Sequence, residues 1–151
     1  MTGVALSVIV PVWNGEAVIA RCLDALGRQT VDRARYEIIV VDNGSTDRTA
    51  DIVRDYPGVT LLAEPRPGSY AARNTAIAQV AAPIIAFTDA DCVPDADWLA
   101  TALAAAEANP GFGVLAGKID LFEEGVSGAR VYADYERLFS FPQAHDAPRR
   151  L

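Results

Sequence analysis

At 151 residues the chain has the length of one domain, enough to bury about two-thirds of its unfolded surface around a core. A hydrophobic fraction of 51% with 22% charged residues argues against disorder. The net charge of −7 argues against a nucleic-acid partner, which needs clustered Lys and Arg, yet an acidic protein can still take a phosphorylated ligand through a cation.

In chain order, hydrophobic runs alternate with amphipathic stretches. Leu6 to Trp13 is a short β-branched run, the pattern of a strand buried on both faces. Asn14 and Gly15 break it, with Asn14 suited to cap the helix that follows on Val18, Ile19, Cys22, Leu23 and Leu26. Tyr36 to Asp42 is a second buried strand. Asn43-Gly-Ser-Thr-Asp47 then leads to a helix carrying Ile52, Val53 and Tyr56. Val59 to Ala63 reads as a third strand. The proline-rich loop from Glu64 to Ser69 precedes a helix from about Tyr70 to Val80. Pro83 to Thr88 is a fourth strand, ending at Asp89-Ala-Asp91. Pro94 and Asp95 open an alanine-rich helix running to Asn109, and Val114 to Gly117 with Ile119 and Leu121 reads as a fifth strand. Val131, Tyr135, Leu138 and Phe139 have loosely helical spacing within 126–141, before a polar end.

Strands separated by helix-length patterns predict an α/β fold: a Rossmann-like, mostly parallel sheet flanked by helices. Residues 1–122 form its ligand-binding region, and 123–151 begin a further region. Ligands of such sheets lie beyond the carboxyl ends of the strands, where three distinctive polar groups occur. Trp13 can stack on a base or fill the core. Asp42 has no evident structural role, since Gly44 permits the turn and Ser45 or Thr46 can cap the helix, with Asp47 in its first turn. Asp89 and Asp91 repel each other unless a cation lies near, and hard oxygens of this kind suit Mg²⁺ or Mn²⁺. The competing reading, acids gathered at a helix start, accounts for Asp95 and Asp97 better than for Asp89. Arg73 can pair with a carboxylate at the core's edge or approach the ligand. No P-loop or Gly-x-Gly-x-x-Gly occurs. Cys22 and Cys92 have no metal or redox spacing and read as reduced thiols.

The ordered set Ser-Val-Ile-Val-Pro-Val-Trp-Asn, Val-Val-Asp-Asn-Gly-Ser-Thr-Asp, Gly-Ser-Tyr-Ala-Ala-Arg-Asn and Thr-Asp-Ala-Asp resembles the family 2 glycosyltransferases of GT-A fold, from about Val4 to Leu121. The resemblance implies an inverting transfer of a sugar from a nucleotide-diphosphate donor, UDP by default, to a hydroxyl acceptor such as a saccharide or lipid-linked glycan. By the family pattern, Pro11 and Trp13 frame the base beside Asn14, and Asp42 accepts from the base edge. Arg73 lies near base and phosphates, Asp89 touches ribose and metal shell, and Asp91 chelates the metal. The family's general base, often in a Glu-Asp pair, has no match among Glu123, Glu124, Asp134, His145 and Asp146. The catalytic base is therefore unassigned, and the chain reads as truncated before the acceptor half. That leads us to expect donor binding without efficient transfer, and some self-association. A binding module without turnover is the alternative. A nucleotidyltransferase, which needs a glycine-rich basic loop after the first strand, is set aside. The absence of a basic leader or of an apolar run of ~20 residues predicts a cytoplasmic protein, with room for peripheral contact at the inner face of the membrane.

Overall fold

A computed structural model of the chain describes residues 3–80, 82–111, 113–114 and 116–117. Met1–Ala108 forms one compact unit and Asn109–Leu151 a second. The first contains β1 (Leu6–Val12), α1 (Ile19–Gly27), a 3-10 turn (Arg33–Arg35), β2 (Tyr36–Asp42), α2 (Thr49–Arg54), β3 (Val59–Ala63), α3 (Ser69–Ile77), β4 (Ile84–Phe87) and α4 (Trp98–Ala108). The four strands are parallel in the order β3-β2-β1-β4. Every residue of β1 is buried, as its unbroken β-branched run predicts for a strand with parallel neighbours on both sides and covered faces.

The two faces are distinct. Alternate residues Val8, Val10 and Val12 of β1, with Ile38 and Val40 of β2, pack with Ile19, Cys22, Leu23 and Leu26 of α1, Val53 of α2, and Leu99 and Leu103 of α4. Ile9, Ile39 and Val41 point the other way, onto Ala72 and Ala76 of α3. This is the period-two alternation of a strand meeting the 3.6-residue period of helices. The small alanines let α3 lie close to the sheet.

α3 ends at Ile77, short of the expected Val80, and three further readings differ from expectation. Asn14 does not cap α1: the helix starts at Ile19 after Val18, without a side-chain cap, because Asn14 turns left-handed (φ 48°) and spends its side chain elsewhere. The alanine-rich helix begins at Trp98, not at Pro94. Its start is capped at a distance by buried Gln29, whose Oε1 accepts from Leu99 N (2.9 Å) while Nε2 donates to Asp95 O (2.7 Å) and Ala25 O (3.2 Å). Gly113, Val114, Ala116 and Gly117 are not in a strand; the rest of the expected fifth strand and the 126–141 helix lie outside the described residues.

Gln29 joins the end of α1 to the start of α4 through three backbone groups. Ala25 O and Asp95 O also accept from Arg28 N and Trp98 N, so Gln29→Leu keeps the volume and strands one buried donor, Leu99 N. It should lower stability by about 1–3 kcal/mol, readable as a shift in the urea midpoint at unchanged slope. A midpoint within error of wild type would mean that water replaces the amide.

Candidate functional site

Strand order determines where a ligand fits. From β1 the chain moves outward through β2 to β3, then returns to place β4 on the other side of β1. α1 lies on one face and α3 on the other, so the connections diverge between β1 and β4. Such a divergence opens a crevice at the carboxyl ends of the two strands. A hollow of about 110 Å³ lies there, lined by Pro11, Val12, Trp13, Asn43, Ser69 and Asp89. Trp13 is 68% exposed, which rules out its core-filling reading: an indole held in water at the rim of a hollow is available for stacking.

The loops around the hollow brace one another. Asn14 N donates to Ser45 Oγ (2.9 Å), and Thr46 N donates back to Asn14 Oδ1 (2.8 Å). Glu16 N donates to Asp47 Oδ2 (3.1 Å), and Arg48 N donates to Glu16 Oε2 (3.0 Å). Gly15 N reaches the buried Thr49 hydroxyl (2.8 Å), which itself bonds Asp47 Oδ1. Asn14 thus fixes the turn after Trp13. Ser45 and Thr46, expected as caps of α2, serve this brace, and Asp47 accepts from Thr49 N at the helix start (3.0 Å).

Asp42 does have a structural role, because its Oδ1 accepts from Ser45 N (3.1 Å) across the turn at Gly44, whose φ is 81°. It lines a separate, wider hollow of about 390 Å³ on the β3 side, with Ala50, Arg54, Leu61, Leu62 and Ala63. Next to it, Asn43 Nδ2 donates to Glu64 O (2.8 Å) and Arg66 O (2.6 Å), and its Oδ1 accepts from Gly68 N (2.7 Å). Asn43 and Ser69 line the first hollow, yet sequence reasoning did not single them out. The signal for Asn43 was its place directly after the β2 aspartate.

Glu64 is nearly buried. Its carboxylate takes Arg66 through Nε (2.9 Å), a second guanidinium nitrogen (2.7 Å) and the backbone N (2.8 Å), and also takes the Thr75 hydroxyl of α3. The Arg66 side chain first, then Thr75 and the Arg66 backbone, hold this carboxyl down from 4.5 to about 2. A depressed folded value contributes stability above the unfolded value, lost as pH falls from 4.5 towards 2. The stability advantage of wild type over Glu64→Gln should therefore be full at about pH 6 and shrink steadily towards about pH 3. Urea titrations across that range test this; a pH-independent difference would contradict it.

At the end of β4, Arg73 of α3 meets Asp89 Oδ1 at 2.5 Å, with side-chain exposures of 23% and 59%. The structure bears out the first reading of Arg73, a pairing with a carboxylate, and that carboxylate lines the hollow. Asp91 is exposed two residues on, and its Oδ1 has a weak contact with the Cys92 thiol at 3.8 Å. Cys22 Sγ and Cys92 N both donate to Asp89 O, at 3.7 and 3.0 Å, which fixes this turn to α1. Both cysteines are free thiols. Burial, with the Cys92 thiol and both aspartates adding to it, pushes Cys22 up to about 12; burial foremost also raises Cys92. Neither is a thiolate at neutral pH. Among the described residues no three His, Cys, Asp or Glu side chains gather as a metal site, and no helix is long and apolar enough to cross a membrane.

The geometry agrees with what the chain is similar to. Over 99 residues it is 44% identical to glycosyltransferase AglE of Haloferax volcanii, covering 62% of this chain and 33% of that protein. The structure of S. aureus TarS 1-349 matches with a TM-score of 0.66 at 27% identity, over 79% of this chain and 40% of that one; the same protein has been solved with UDP-GlcNAc. Mannosyltransferase PcManGT from Pyrobaculum calidifontis, in complex with GDP-Man and Mn²⁺, matches with a TM-score of 0.64 at 36% identity, over 69% of this chain and 32% of that one. The chain therefore spans about a third to two-fifths of the length of these relatives. A family model described as glycosyl transferase family 2 matches residues 7–147. With a parallel GT-A-type sheet and its crevice in place, the chain belongs to glycosyl transferase family 2.

Proposed function

We propose that this chain forms the donor side of an inverting glycosyltransferase, holding a nucleotide-diphosphate sugar at the β1–β4 crevice through Mg²⁺ or Mn²⁺. The observation that carries the reading is the meeting of Trp13 and Asp89 on one hollow, with Asp91 exposed beside it. A base needs an aromatic face, and a diphosphate in a protein of net charge −7 needs a cation.

The donor set fits such a cation. Asp91 offers a hard carboxylate with only a weak thiol contact among the described residues, and Arg73 engages one oxygen of Asp89. One or two carboxylates, with the remaining positions left to water and phosphate oxygens, are what Mg²⁺ and Mn²⁺ accept. When bound, the ion neutralises charge on the departing diphosphate. The chain's own residues do the rest of the donor work. Trp13 stacks on the base over Pro11, and Asn14 keeps the turn beneath it fixed. Asp42, at the end of β2 in the neighbouring hollow and with one oxygen committed to Ser45, accepts from a base edge that reaches past Trp13 onto the β2 side. Arg73 holds Asp89 and adds positive charge near the phosphates. In the transfer the acceptor oxygen bonds the anomeric carbon as the carbon–oxygen bond to the diphosphate breaks. The acceptor proton passes to a general base, which is unassigned.

Calorimetry with UDP and with GDP, each in Mn²⁺ and in EDTA, tests the reading. Binding of at least one nucleotide that disappears in EDTA is expected; equal affinity in both conditions would remove the metal, and no binding in either would remove the donor site. Trp13→Ala should weaken nucleotide binding by about 1–3 kcal/mol, the weight of one base–aromatic stack, while Trp13→Tyr retains most of it. Loss of equal size in both variants would argue that the indole makes a contact other than stacking.

A further inference from the structure

From α3, Ser69 lines the crevice and Arg73 pairs with Asp89, which lines it too, yet α3 starts without a side-chain cap, after Gly68 at φ 115°. Something else must fix where this helix begins, because a shift of one residue would rotate Arg73 about 100° away from Asp89.

The 64–68 loop is held at both ends. Glu64 N donates to Asp42 O (2.9 Å), extending the β2–β3 pairing one step. Asn43 then spans the loop, donating to two carbonyls, Glu64 O and Arg66 O, and accepting from Gly68 N, the backbone group next to α3. The buried Glu64 carboxylate closes the other side, binding Arg66 within the loop and the Thr75 hydroxyl on the second turn of α3. Residue 43 thus faces two acceptors and one donor, a pattern that a primary amide matches and a carboxylate of the same shape cannot.

We propose that Asn43 and Glu64 are positioning residues of the donor site, which set the start of α3 so that Arg73 meets Asp89 and Ser69 lines the hollow. Asn43 borders the hollow, but the polar groups of both residues are committed to the loop and to Thr75, so their effect on the nucleotide runs through α3. This rests on the donor-site reading above, and the test separates the two.

Asn43→Asp is the sharpest variant: same size, with an oxygen set against two carbonyls. Glu64→Gln removes the ion pair and keeps the shape. Affinity for UDP and for GDP in Mn²⁺ is measured for wild type, Asn43→Asp, Arg73→Ala and the double variant. Amide exchange of residues 69–77 is followed in the nucleotide-free chain, with α1 as the internal reference. The expected results are affinity about tenfold weaker in Asn43→Asp, little further loss when that change is added to Arg73→Ala, and faster exchange at the start of α3 with α1 unchanged. Glu64→Gln should raise exchange in the same segment. Additive losses in the double variant would overturn the proposal, since Asn43 would then act on binding independently of Arg73. Unchanged exchange in α3 would overturn it as well, and this readout stands even where wild type binds neither nucleotide, the result that sinks the donor-site reading alone.

Discussion

Asp91→Ala is expected to remove the metal-dependent part of nucleotide binding while leaving the fold intact. The loss of a residue that merely orients a metal ligand already costs about 10–100-fold in affinity, so the loss of a direct ligand should exceed that. Asp91 lies exposed in the turn after β4, and among the described residues its carboxylate meets only the Cys92 thiol. Its removal should therefore change stability by no more than about 0.5 kcal/mol. Calorimetry with Mn²⁺ reads the first effect and thermal unfolding the second. Undiminished Mn²⁺-dependent binding would exclude Asp91 as the ligand, and a large drop in melting temperature would reveal a structural role that the geometry does not contain.

Leu26→Ala should do the reverse. Leu26 is wholly buried in the cluster of α1, β1, β2 and α4, and its backbone oxygen accepts from the Tyr36 hydroxyl at 2.7 Å. Tyr36 begins β2, so this part of the core lies at the amino edge of the sheet, away from the crevice. Truncation should cost about 2–5 kcal/mol, and in a unit of this size that lowers the melting temperature by on the order of 10–20 °C. Nucleotide affinity of the protein that remains folded should be unchanged. A small thermal shift would mean that the cavity collapses; weakened binding would mean that α1 transmits strain to the β1 turn.

The contrast between these two residues also explains what the sequence revealed. Core positions such as Leu26 and Val40 announce themselves through periodicity, because burial on a helix face or a two-sided strand leaves a local pattern. The four strands and the first two helices were legible for that reason, the third and fourth helices from the proline-rich loop and the alanine content, and the parallel α/β class followed. Trp13, Asp42, Asp89 and Asp91 stand at or just beyond strand ends as expected, and of these Trp13 and Asp89 line one hollow. Contacts made across the sheet edge were less so. Asn14 looked like a helix cap and instead holds Thr46, 32 residues on. Asn43 and Glu64 looked like ordinary loop residues, because their partners at Gly68 and Thr75 become neighbours only once β2, β3 and α3 are assembled. Gln29 likewise caps a helix 70 residues away. Hydrogen bonds of this kind have no period along the chain.

The most direct test of the account is where a paramagnetic ion sits. With isotope-labelled chain, Mn²⁺ added together with UDP or GDP should broaden the amide resonances around Asp89, Asp91 and Cys92 first. Trp13 and Ser69 should follow, and the amino-edge residues Leu26 and Tyr36 should remain sharp. Asp91→Ala should abolish the effect. Broadening centred on other acidic positions, such as Asp51 and Asp55 of the α2 region or Glu107 of α4, with the β4 turn unaffected, would contradict the assignment of the donor site to the β1–β4 crevice.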